Sequence, residues 1–145
     1  MDQMVKPERL TVRLDGLRVL VVDDQPDARR LIAKVLQEAG ATVTAAATVR
    51  EALQALESKE GVPHVLISDL SMPDEDGFDL IRQVRAAGHS VQQLPAVALT
   101  AFTDKESARS ALLGGYQVHV PKPVEPNDLI AVVASLMGRT GSSSA

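Results

Sequence analysis

The chain has 145 residues, 45% of them apolar and 23% charged, with a net charge of −4. That is the length of one domain, able to bury roughly 68–70% of its unfolded surface and to fold alone, and the composition excludes disorder for most of the chain. The absence of cysteine excludes disulfides, thiolate metal sites and cysteine nucleophiles; no basic surplus is available to neutralise phosphates, which argues against nucleic-acid binding, and no apolar run approaches a membrane span.

Aromatic residues are only 2% of the chain, so its core must be built from Val, Leu, Ile and Ala. Residues 1–16 mix charges without a period and read as a linker or tail, with an extended stretch near Leu10–Leu14. They lack the apolar segment of a signal peptide, and a cytoplasmic location is expected. Arg18–Asp23 (RVLVVD) is a run of the kind that a strand buried on both faces requires. Ala28, Leu31, Ile32, Val35, Leu36 and Ala39 then fall on one face of a helical period, stopped by Gly40. Ala41–Ala45 predicts a weaker strand, and Thr48 the cap of a helix with Val49, Ala52, Leu53 and Leu56 inward. His64–Asp69 (HVLISD) is a further buried strand, and a loop holding Pro73 and Gly77 leads to a helix with Phe78, Ile81 and Val84 inward. Pro95–Thr100 is the fourth strand; Thr103 or Asp104 caps a helix ending at Gly114 and Gly115. Tyr116–Val120 is the fifth strand. Pro126 suits the first turn of a last helix, with Leu129, Val132, Val133 and Leu136 inward. Residues 138–145 (GRTGSSSA) read as a flexible tail, leaving 17–137 as the domain.

Strict alternation of buried strands with helices predicts an α/β fold, a parallel sheet covered on both faces. Right-handed crossovers bring every strand's C-terminal end to one edge, where ligands of such sheets bind. Those ends carry Asp23 and Asp24, Asp69, Thr100, and Lys122 just past the fifth. Taken singly, each has a bland reading: an Asp-Asp turn or helix cap, a loop acid, a capping hydroxyl, a surface charge. Together they supply one chemistry. Clustered carboxylates repel, and a hard cation with oxygen ligands relieves the repulsion; Mg²⁺ is the usual ion where phosphate also binds. A carboxylate can attack phosphorus, and a metal, a lysine and a hydroxyl can then hold the phosphoryl oxygens.

With VLVVDDQPDAR, LISDLSMPDEDGFDLI, PAVALTAF and VHVPKPVEPNDL, the sequence resembles the receiver domains of two-component response regulators from about Leu17 to Met137. The resemblance implies a flavodoxin-like (βα)5 doubly wound fold with a five-stranded parallel sheet of order 2-1-3-4-5. It implies Asp69 as phosphoacceptor, with Mg²⁺ held by Asp24, by Asp23 mainly through water, by Asp69 and by the backbone carbonyl of Ser71. It implies Thr100 as hydrogen-bond donor to the phosphoryl group, Ala101 as the small residue that gives access, Lys122 as its ion partner and a cis bond before Pro123. Ser71 and Phe102 would flank the path of the water that removes the phosphoryl group. The switch position, usually Tyr or Phe, is His119 here. The implied partner is a histidine kinase or histidine phosphotransfer protein, docking near the first helix. Output or dimerisation would use the surface of helix 4, strand 5 and helix 5. The segment LDGLRVLVVDDQPDAR and the ending HVPKPVEPNDLIAVVASL also look like receivers fused to hybrid kinases.

The chain is then not an enzyme beyond its own aspartyl phosphorylation and dephosphorylation. A flavin-binding relative would need a Ser/Thr/Gly-rich loop where Asp23-Asp24 stands, and an acid phosphatase would need a second Asp at the position of Ser71. The remaining alternative is a pseudo-receiver, an interaction module that is never phosphorylated. His64 and His89 receive no role.

Overall fold

The computed structural model describes residues 12–72, 75–100 and 105–138. Its elements alternate without exception: β1 Arg18–Val22, α1 Pro26–Glu38, β2 Thr42–Ala46, α2 Val49–Leu56, β3 Val65–Asp69, α3 Gly77–Ala86, β4 Ala96–Thr100, α4 Lys105–Gly114, β5 Val118–Pro121 and α5 Pro126–Leu136. All strand pairs are parallel, and the sheet runs β2-β1-β3-β4-β5. This is the expected doubly wound arrangement.

Strand side chains alternate between two apolar layers, as the period of two demands. Val19, Val21, Val65, Ile67, Val97, Leu99 and Val120 pack with Ile32 and Leu36 of α1 and Leu129 and Val133 of α5. Leu20, Val22, Leu66, Ala96 and Ala98 face the opposite way, onto Val49, Ala52 and Leu56 of α2, Leu80, Ile81 and Val84 of α3, and Ala111 of α4. β3 and β4 are buried along their whole length, whereas the edge strand β2 is mostly exposed. Pro121 ends the other edge strand, where its missing N–H withholds one donor from unwanted pairing.

The helix starts follow local chemistry. Thr48 accepts from the Glu51 amide at 3.0 Å while Glu51 accepts from the Ala47 amide at 2.8 Å. Asp76 and Asp79 form a reciprocal capping box on α3. Pro26 and Pro126 occupy first-turn positions, where a missing N–H costs nothing.

Several details differ from the pattern reading. β2 begins and ends one residue later than predicted, at Thr42–Ala46. β5 begins at Val118, because Gly115 takes a positive φ of 124° and turns Tyr116 into the α3 side of the core. Leu31, on the expected inner face of α1, is 55% exposed, since it lies at the border of the apolar stripe. In the segment before β1, Leu14 is wholly buried, its amide donating to the Ala39 carbonyl at 2.8 Å, while Arg13 donates to the Glu38 carbonyl at 3.1 Å. His64 has a structural part: its Nδ1 accepts from the Arg18 amide at 2.9 Å, joining the start of β1 to the start of β3.

Candidate functional site

The C-terminal edge of the sheet assembles the cluster. Asp23 directly follows β1, and its amide donates to the Ala46 carbonyl at 3.1 Å, extending the ladder by one step. Asp69 is the last residue of β3, in register with Leu99 of β4. Thr100 ends β4, and its carbonyl accepts from the Lys122 amide at 2.8 Å. Asp23, Asp69 and Thr100 are all buried, a costly setting for two acids unless something compensates them.

Compensation is partial. Lys122 Nζ lies 3.2 Å from Asp69 Oδ1 and 3.7 Å from Asp23 Oδ2, so one ammonium spans acids from two strands. The Ser71 amide donates to Asp69 Oδ1 at 3.1 Å, and the Gln25 amide to Asp23 Oδ1 at 2.9 Å. Asp23 Oδ2 remains buried with no hydrogen bond. Burial holds the Asp23 carboxyl above its ordinary range; the Gln25 amide and Lys122 oppose that shift, and the neighbouring Asp69 and Asp24 add to it. The Lys122–Pro123 peptide is cis.

Asp23, Asp24 and Asp69 each offer an oxygen within 4.8 Å of the others. These are hard oxygen donors with more negative charge than one lysine neutralises, and a buried carboxylate oxygen without a hydrogen bond is among them. Both observations fit a divalent cation of the Mg²⁺ type.

Asp23, Asp24, Asp69, Ser71, Thr100 and Lys122 thus meet at one edge. His119 does not join them: it sits on β5 opposite Ala98, exposed to solvent. Ala101 and Phe102, and the expected helix caps Thr103 and Asp104, lie outside the described residues. Sequence reasoning missed Arg29, whose Nη1 donates to the Asp23 carbonyl at 2.8 Å and ties the first turn of α1 to the acidic loop. Its only signal was its distance from Asp23, one turn into a helix that starts at Pro26. A groove of about 370 Å³ with Arg18, Thr42, Thr44 and Glu60 in its walls opens at the opposite end of the strands and shares no residue with the cluster.

A family model of the response regulator receiver domain matches residues 19–134. The chain belongs to this family. The receiver is 44% identical over 120 residues to an uncharacterised 14.6 kDa protein of Leptolyngbya boryana, spanning 83% of this chain and 89% of that protein. It is 37% identical over 115 residues to the DNA-binding transcriptional regulator NtrC of Escherichia coli K12, covering 79% of this chain but only 24% of NtrC. Among solved structures, the chemotaxis protein CheY4 of Vibrio cholerae superposes with a TM-score of 0.75 at 31% identity, over 83% of this chain and 98% of that one. Receivers as a family bind Mg²⁺ at such an aspartate cluster and are phosphorylated by histidine kinases. Among the described residues, no helix is long and apolar enough to cross a membrane.

Proposed function

We propose that this receiver accepts a phosphoryl group on Asp69 from a histidine kinase or a histidine phosphotransfer protein, with Mg²⁺ bound, and so switches an output surface. The observation that carries the reading is Lys122 lying against both Asp69 and Asp23 at the mouth of the sheet, a cation already set where a phosphoryl oxygen would arrive.

Asp69 Oδ1 is engaged by Lys122 and by the Ser71 amide, so we assign the attack to Oδ2. The new P–O bond forms as the P–N bond to the donor imidazole breaks, and the imidazole leaves with the electron pair and takes a proton from solvent. Asp23, Asp24, Asp69 and the Ser71 carbonyl would hold Mg²⁺, which when bound neutralises charge on the phosphoryl oxygens. Lys122 then exchanges its contact with Asp69 for a phosphoryl oxygen, and the Thr100 hydroxyl donates to another. By their places in the sequence, Ala101 is assigned access to Asp69 and Ser71 and Phe102 the path of the attacking water, with an apolar Phe102 slowing loss of the phosphoryl group. His119 takes the place of the usual aromatic switch, and its ring signals should differ between free and beryllofluoride-bound protein.

The test is intact mass after incubation with acetyl phosphate and Mg²⁺. The wild type should gain one phosphoryl adduct, and Asp69→Asn none. A wild type that gains no adduct from acetyl phosphate or from any cellular phosphohistidine donor would make the chain a pseudo-receiver.

A further inference from the structure

Tyr116 is the chain's single tyrosine and is 3% exposed. Its hydroxyl donates to the Gly77 carbonyl at 2.7 Å, across 39 positions of sequence. Burial pushes the phenol well above its ordinary range, with the nearby Ser68 hydroxyl opposing the shift, so it stays a proton donor at any physiological pH. A buried phenol must keep its acceptor, because an unpaired hydroxyl there is costly, and so the ring is fixed to the start of α3.

Gly77 is no ordinary acceptor. A side chain at this position would bring Cβ to 2.5 Å from the Asp69 carbonyl oxygen and 2.9 Å from Leu70 Cα. The first residue of α3 therefore rests directly on the backbone of Asp69. The Gly77 amide also donates to the Leu70 carbonyl at 3.1 Å, tying the start of α3 to the residue that follows β3. The next residue, Ser71, supplies the amide that holds Asp69 Oδ1. Beside it, the Ser68 hydroxyl donates to the Asp69 carbonyl at 3.0 Å.

The turn that bears Tyr116 is itself fixed. Arg85, near the end of α3, donates to the Gly115 carbonyl through Nε at 3.2 Å and Nη2 at 2.6 Å. Its Nη1 also reaches the carbonyls of His89, Ser90 and Leu94. The Gly115–Tyr116 turn thus grips α3 at both ends, and one of those ends abuts Asp69.

We propose that Tyr116 is a positioning residue for the acidic site: through Gly77 it holds the start of α3 against the backbone of Asp69 and Leu70, beside the Ser71 amide, so that a shift at Asp69 and a shift of the turn before β5 are coupled. The inference rests on the proposed phosphoacceptor function for its consequence, and on the hydrogen bonds and the close seat of Gly77 for its geometry.

Tyr116→Phe keeps the ring and deletes the hydroxyl. The control is Val133→Ala, in the opposite layer of the core, which lowers stability without touching the turn. Amide exchange in metal-free protein should quicken at Ser71 and Gly77 in Tyr116→Phe by about three- to tenfold, the size of one net hydrogen bond. It should do so beyond any change that matches the global loss of stability, and Val133→Ala should show only that global change. Mg²⁺ affinity, read by calorimetry, should fall several-fold in Tyr116→Phe and hold in Val133→Ala. Unchanged exchange at both amides, or exchange that follows global stability alone, overturns the proposal; so does faster exchange with Mg²⁺ affinity intact. If the wild type binds no Mg²⁺, the proposed phosphoacceptor function fails, and the exchange experiment still decides whether Tyr116 holds the start of α3 and the Ser71 amide.

Discussion

Replacing Asp23 with Asn separates the cost of the acidic cluster from its use. The Asp23 carboxylate is fully buried, one of its oxygens lacks a hydrogen bond, and two further carboxylates lie close by. Asn keeps the shape and the acceptor for the Gln25 amide while removing the charge. What it gives up is a 3.7 Å contact with Lys122, whose closer partner is Asp69 at 3.2 Å. Relief of an unsatisfied buried charge is worth about 1–3 kcal/mol, and loss of the 3.7 Å contact does not leave the ammonium unpaired, because Asp69 remains its nearer partner. The net expectation in EDTA is a gain of about 1 kcal/mol, or about 4 °C in Tm for a domain of this size. The sign with pH follows from the raised Asp23 carboxyl. The folded state holds that proton more tightly than the unfolded one, so wild-type stability falls relative to Asp23→Asn as pH rises from about 4 through the raised value. Saturating Mg²⁺ should reverse the order, because a ligand at a hundred times its Kd adds about 2.7 kcal/mol to the wild type and little to the variant. Thermal melts of both proteins, with EDTA and across a Mg²⁺ series, should therefore cross. An Asp23→Asn protein less stable than wild type in EDTA would mean that the buried Asp23 charge does not burden the metal-free fold, and one with the same response to Mg²⁺ that it does not serve the metal.

Asp79 is held below the ordinary carboxylate range, first by the Asp76 amide and then by Arg82, so its stabilising share is present above pH about 4 and lost as pH falls through the lowered value; acid titration followed by circular dichroism should show Asp79→Asn less sensitive in that window and less stable above it. Gly77→Ala should lose about 1–3 kcal/mol in urea melts, because its Cβ would strike backbone atoms that cannot rotate away. Asp24→Ala should leave the metal-free Tm close to wild type and remove most of the rise with Mg²⁺, since Asp24 is a half-exposed member of the cluster. Phe102→Glu should shorten the life of the phosphorylated protein by about tenfold, about 1.4 kcal/mol of barrier, in a time course of adduct decay.

The strands were legible because β1, β3 and β4 are buried on both faces, and a strand so placed reads as an unbroken apolar run. The site was legible for a related reason: a polar residue at the end of such a run stands out, and Asp23, Asp69 and Thr100 each do so. The edges were harder. β2 is mostly exposed and composed of Thr, Val and Ala, so its limits slid by one residue. Periodicity assigned Leu31 to the core, although its place at the border of the apolar stripe of α1 leaves it exposed. Tyr116 and Arg29 were invisible as site residues because each acts on a backbone carbonyl, of Gly77 and Asp23 respectively. A carbonyl leaves no mark in the sequence of the residue that owns it. The close seat of Gly77 on Asp69 is equally hidden, since a glycine between Asp76 and Phe78 reads as part of a turn.

The joint ahead of β1 has a mechanical meaning. Leu14 is plugged into the core, and the backbone and side chain on either side of its peptide are fastened to carbonyls at the end of α1. Tension applied at residue 12 would load the last turn of α1 before it reached the sheet, and trimming the chain so that it begins at Leu17 would pull the plug. That leaves a void where a leucine sat, at a cost of about 2–5 kcal/mol. Anything coupled to this end is coupled to α1 by a rivet, not by a tether.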